Sequence, residues 1–167
     1  DAEAAEKAAA DAKEAKEAKE AKEAEAAKGG KGDAPTPATD PATDPAPADG
    51  AQAAIAFARA QLGEPYRWGA AGPAAWDCSG LVEKAWAAGG KSLPHYSVAQ
   101  YEQSTPITRD QLRPGDLVFW SDGGPGAIFH VALYVGRGQI IHAPRTGRPV
   151  SLESIDYWRT PDLYARP

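Results

Sequence analysis

The chain has 167 residues, a formal net charge of −5 and 43% hydrophobic residues. That balance offers no basic footprint for nucleic acid, and no apolar run approaches the roughly 18–20 residues of a membrane span. A single cysteine, Cys78, excludes an internal disulfide and a multi-cysteine zinc site.

The averages hide a division. Residues 1–50 carry 13 acidic and 7 basic side chains and no Val, Ile, Leu, Phe, Trp or Tyr. Every large apolar side chain lies in residues 51–167, where 10 acidic side chains face 11 basic ones. A segment of about 115 residues is enough for one small core. Compartment is not legible at the N-terminus, which shows neither a leader pattern nor an initiating Met.

Residues 1–28 repeat Lys-Glu-Ala from Lys13 to Ala24. All three residue types favour helix, but no Leu or Ile stripe specifies a coiled coil, so the stretch reads as a solvated helix or charged tail. Residues 29–50 read as a linker: Gly29-Gly30-Lys31-Gly32 stops the helix, and Pro35, Pro37, Pro41, Pro45 and Pro47 favour extended chain. The folded part, residues 51–167, opens with an Ala-rich helix over Ala51–Leu62, with Ile55, Ala58 and Leu62 on its apolar face and Gly63 ending it. A Gly- and aromatic-rich loop leads through Tyr66 and Trp68 to Trp76. A second helix runs from Cys78 to Ala88, with Leu81, Val82, Ala85 and Trp86 on one face, and Gly89-Gly90 stops it. A short helix follows over residues 97–103.

The period then changes to two. Strands are expected at Leu117–Trp120, after a Gly115-Asp116 turn in which Asp116 caps backbone N–H groups, and at His130–Val135, Gln139–His142 and Leu163–Ala165. Helices first and strands later predict an α+β domain with an antiparallel sheet. The five tryptophans read as core or rim packing rather than as sugar platforms.

Three residues stand out chemically. Cys78 begins a helix directly after Asp77, where backbone N–H groups and the helix dipole favour a thiolate; a buried, inert cysteine is the competing reading. His130 starts one strand and His142 ends the next, about the turn Gly136-Arg137-Gly138. Positions 131 and 143 are equidistant from Arg137, so the two histidines fall nearly opposite, within about one residue. One imidazole is then placed to orient the other as a base for Cys78. A zinc site from the same three residues is the poorer reading, because it lacks a fourth ligand or a carboxylate. His95, after Pro94, has no clear partner and reads as surface or substrate-facing.

These residues sit in a series of motifs: Tyr66-Arg67-Trp68-Gly69; Asp77-Cys78-Ser79-Gly80-Leu81-Val82; Leu93-Pro94 with Ser97 and Gln100; Arg113-Pro114-Gly115-Asp116-Leu117-Val118-Phe119; His130 to Gly136; and Ile140-Ile141-His142-Ala143. Each is weak alone. In this order and spacing, residues 51–167 resemble the catalytic domain of the NlpC/p60 family of bacterial cell-wall cysteine peptidases. The resemblance covers none of the tail, although an Ala/Glu/Lys-rich region and a Pro-rich linker are also common in that family.

The resemblance implies a papain-like fold, with the Cys78 helix packed on a sheet that carries both histidines. It implies hydrolysis of an amide in the peptidoglycan stem peptide, typically between D-γ-glutamyl and a diamino acid. Cys78 is then the nucleophile, His130 the base and His142 the orienting residue. Tyr66 takes the place of the active-site tyrosine beside the oxyanion, and Asp77 and Ser79 match positions lining the substrate groove. His95 departs from the family, which often has Arg after Leu-Pro. No cofactor and no metal is implied. The expected partners are peptidoglycan stem peptides, with wall or division-complex partners reached through the N-terminal region, and the expected location is secreted or in the cell wall. The alternatives are an idle wall-binding scaffold, an acyltransferase or lipid-acting relative, and an N-acetylmuramoyl-L-alanine amidase of the same fold.

Overall fold

The computed structural model describes residues 47 and 49–167. The tail over 1–28 and nearly all of the linker over 29–50 lie outside the described residues. Three helices come first: α1 (Ala51–Ala60), α2 (Cys78–Ala88) and α3 (Ser97–Glu102). Six strands follow: β1 (Thr105–Ile107), β2 (Leu117–Ser121), β3 (Ile128–Gly136), β4 (Gln139–His142), β5 (Ser151–Ser154) and β6 (Leu163–Arg166). They form one antiparallel sheet in the order β1-β6-β2-β3-β4-β5.

The expected helices are present, and Ala58 and Ile55 of the expected face of α1 meet the core, but its most buried positions are alanines and Leu62 is not among them. Its buried residues are Ala51, Ala54 and Ala58; Ile55 is only half-buried, and Leu62 lies beyond the helix end, 40% exposed. Small residues allow close approach to α2. A Cβ on Gly50 would fall 2.0 Å from the carbonyl oxygen of Gly89, and one on Gly115 would fall 2.4 Å from the Cβ of Ala51. A larger apolar stripe would hold these backbones apart.

α2 buries Leu81, Val82, Ala85 and Trp86 as expected. Trp86 donates its indole N–H to the Gly115 carbonyl at 3.1 Å, which fixes the helix to the turn before β2. Gln100 on α3 donates to the Ser79 and Pro94 carbonyls, both at 2.8 Å, tying α3 to the first turn of α2.

The sheet has a core on each face. Leu117, Phe119, Val131, Leu133 and Ile141 meet the helices. Val118, Trp120, Ala132, Tyr134 and Ile140 form a second cluster with Ile155, flanked by Tyr157 and Tyr164. β2 is therefore buried at every position, which explains its unbroken apolar run. Trp76, Trp86 and Trp120 are core residues, whereas Trp68 and Trp158 are exposed. Asp116 caps the Arg113 N–H at 2.7 Å, as expected, and also accepts a two-pronged contact from Arg166 at the end of β6.

Candidate active site

Cys78 is the first residue of α2, which packs against β3, the strand that carries His130. The turn before it is held by Asp77. This buried carboxylate accepts the Gly80 N–H at 2.6 Å, which is the N-cap bond of α2. It also accepts the Gly69 N–H at 2.9 Å, and it is within 3.5 Å of the Ser79 hydroxyl. Nε2 of His95 lies 2.7 Å from the same carboxylate, and its Nδ1 lies 3.9 Å from Glu83. His95 thus has a partner that sequence reasoning did not find, and the residue that departs from the family pattern is wired to the neighbour of Cys78. Tyr66 enters from the preceding loop, which runs beside the segment before α2: the Arg67 N–H meets the Trp76 carbonyl at 3.0 Å, and the Trp76 N–H meets the Pro65 carbonyl at 3.1 Å.

The two histidines meet as the turn arithmetic predicts. β3 and β4 pair Leu133 with Ile141 and Tyr134 with Ile140. Carried on, that register places His142 opposite Ala132, so His130 and His142 are diagonal neighbours on one face. Their rings approach edge-on, with Nε2 of His130 2.8 Å from Nδ1 of His142. His130 is 3% and His142 0% exposed. Trp120 and Tyr157 close over them, with ring centroids 5.1 Å from His130 and 4.9 Å from His142 respectively.

Beyond His142 the chain of contacts continues into a strand the sequence did not reveal. Oε2 of Glu153 on β5 lies 2.5 Å from Nε2 of His142, and its Oε1 accepts from Arg148 at 2.6 Å. A polar strand of four residues after an eight-residue loop carries almost no signal; the brief alternation Val150-Ser151-Leu152-Glu153 was the available clue. At the other end, Nδ1 of His130 is buried and has no hydrogen-bond partner among the described residues.

Electrostatics follow from this geometry. Burial pushes His130 well below the ordinary imidazole range, helped by His142 and Arg145. Burial also lowers His142; Glu153 opposes that shift, and Arg148 and Arg145 add to it. Burial pushes Glu153 up, but its bond to His142 and the charge of Arg148 outweigh this and leave it below the usual carboxylate value. The site therefore holds neutral imidazoles beside an ionised carboxylate near neutral pH. Both nitrogens of His142 are committed to protein partners, so the Cys78/His130/His142 set fits a metal poorly.

A model of the NlpC/P60 family matches residues 63–166. A probable endopeptidase of Corynebacterium glutamicum is 43% identical over 121 residues, which cover 72% of this chain and 55% of that protein. Murein DD-endopeptidase MepH of Escherichia coli is 41% identical over 112 residues, covering 64% of this chain and 41% of MepH. The chain thus aligns with about half the length of these curated relatives. Among solved structures, the NlpC/p60 domain of peptidoglycan hydrolase SagA superposes with a TM-score of 0.65 at 36% identity, covering 70% of this chain and 98% of that one. The α+β, papain-like arrangement expected from the sequence is the one observed.

Proposed function

The chain belongs to the NlpC/P60 family, and from that premise we propose that it is an extracytoplasmic peptidoglycan endopeptidase working through a cysteine thioester. The observation that carries the reading is the bare, buried Nδ1 of His130 at the end of a hydrogen-bonded imidazole pair. It lies on a strand packed against the helix that begins with the chain's only cysteine.

In this reading the Cys78 thiol gives its proton to Nδ1 of His130, and the sulfur attacks a stem-peptide carbonyl. Backbone N–H groups at the start of α2 hold the oxyanion, with Tyr66 beside it. Collapse of the tetrahedral intermediate breaks the C–N bond, and the imidazolium returns its proton to the leaving amine. Water then hydrolyses the thioester with His130 again as base. Asp77 fixes the turn that presents the sulfur, and Ser79 lines the substrate side. Residues 1–50, which lack large apolar side chains, serve as a tether towards wall or division-complex partners.

The bond we propose is D-γ-glutamyl–diamino acid. A second reading, a DD cross-link, is favoured by the name of MepH. Mass spectrometry of digested muropeptides distinguishes the two by product mass. Cys78→Ala should abolish both cleavage and thioester formation and leave the melting temperature within about 2 °C, because so small a truncation opens little cavity. Cleavage by the Ala variant at a rate near that of the native chain would overturn the covalent mechanism.

A further inference from the structure

A base must present a lone pair, and a neutral imidazole has only one. Which nitrogen of His130 carries it is decided two bonds away. The Glu153 carboxylate can only accept, so Nε2 of His142, at 2.5 Å, carries a hydrogen and donates. A neutral His142 then has its lone pair on Nδ1. That nitrogen is 2.8 Å from Nε2 of His130, which must donate to it. The proton of His130 is therefore on Nε2, and the buried, unpartnered Nδ1 is the bare nitrogen.

We propose that Glu153 is a positioning residue that sets the tautomer of both histidines and so makes Nδ1 of His130 the base. The inference rests on the reading of Cys78 and His130 as nucleophile and base. Glu153 touches neither. It acts through His142, and it is itself aimed by Arg148, whose guanidinium donates to the other carboxylate oxygen at 2.6 Å. Burial, joined by Arg148 and Arg145, outweighs the pull of Glu153 and disfavours charge on His142, so the neutral ring, for which the tautomer matters, is the resting form. Trp120 and Tyr157 keep the relay packed, and the imidazoles, 3% and 0% exposed, give water little access to the place of the carboxylate.

Arg148 makes the proposal sharply testable. In Glu153→Gln the arginine can only donate, so the amide oxygen turns towards it and the NH2 group turns towards His142. Nε2 of His142 must then accept, its Nδ1 carries the proton and donates to Nε2 of His130, and the proton of His130 moves to Nδ1. The base is lost although every heavy atom stays in place. Glu153→Gln should lower kcat by about 10²–10⁴-fold, the range for loss of general-base catalysis, with KM nearly unchanged. Adding Arg148→Met frees the amide to rotate, and the double variant should regain at least about tenfold of that loss. A purely structural role for Glu153 predicts the opposite, since the second change removes one more contact.

A direct readout is the 15N chemical shifts of the imidazole rings in the Cys78→Ala chain, where no thiol exchanges protons with His130. We expect His130 to be protonated at Nε2 and bare at Nδ1, with the pattern reversed once Glu153→Gln is added. A proton on Nδ1 of His130 in the Cys78→Ala chain overturns the proposal even if the Gln variant does not fold. An unchanged pattern in the Gln variant, or a double variant slower than the single one, also overturns it. If the native chain cleaves no muropeptide, the functional reading fails, while the ring-nitrogen measurement still decides the role of Glu153.

Discussion

His130 and His142 are both buried and share one hydrogen bond, yet their removal should have unequal chemical consequences. In the proposed cycle His130 holds the nitrogen that takes up and returns a proton in each half, and His142 orients it. His130→Ala should therefore reduce kcat/KM to the background of the assay, at least about 10⁴-fold, whereas His142→Ala should cost about 10²–10³-fold, because a mobile His130 still titrates. Rates on one purified muropeptide, measured side by side, check the order; a larger loss for His142→Ala would exchange the two roles. This pair was legible in the sequence because a Gly-Arg-Gly turn fixes the register and both side chains lie within one hairpin. His95 and Glu153 were not. The partner of each lies on another element, Asp77 at the N-cap of α2 and His142 across a separate strand pairing, and spacing along the chain encodes neither.

Elements were legible where burial forces a pattern. β2, β3, β4 and α2 are enclosed, and their apolar runs and periods announced them. β1 and β5 are the two edges of the sheet. Among the described residues each pairs on one side only and is free to be polar, as Ser151–Ser154 is, or to hold a proline, as Thr105–Ile107 does. α1 misled for a related reason. Its contact with α2 selects small residues, so alanines are its most buried positions, and the helix ends at Ala60 before Leu62 can join the face.

Between elements, the contact of Arg166 with Asp116 has the largest electrostatic stake. Asp116 is fully buried, and both of its oxygens lie 2.8 Å from guanidinium nitrogens of Arg166. Arg166→Met keeps the apolar stem but strands a buried carboxylate. Removing one partner of such a pair costs about 3–5 kcal/mol, and because Arg166 is itself partly exposed we expect about 3. Adding Asp116→Asn should recover a good part of that loss, because the uncompensated charge is gone. Urea unfolding of the single and double variants measures both; a single-variant loss below about 1 kcal/mol would mean that water already solvates Asp116.

At the scale of the whole molecule, the two-sided core is what buries the histidines. The segment that carries Ile155 and Tyr157 closes the second face of the sheet, and the imidazoles stay neutral beneath it at the expense of acid stability. Both have folded-state values below the ordinary 6.5, so protonation favours the unfolded chain. Their contribution is intact above about pH 6.5 and is lost as pH falls through that value. Each proton taken up only on unfolding contributes a slope of about 1.4 kcal/mol per pH unit, hence up to about 2.7 for the pair. The charged groups facing them are Arg145, Arg148 and Glu153. Glu153, lowered from 4.5, loses its contribution only as pH falls below that ordinary value. Stability measured by denaturant unfolding should therefore be level from about pH 7.5 to 6.5 and decline between about 6.5 and 5, before most carboxylates titrate. A variant with both histidines replaced by Gln should be flat across the same window, whatever its absolute stability. A native chain as stable at pH 5 as at pH 7 would show that the imidazoles are charged in the folded state, and neutral His130 could not then be the resting base.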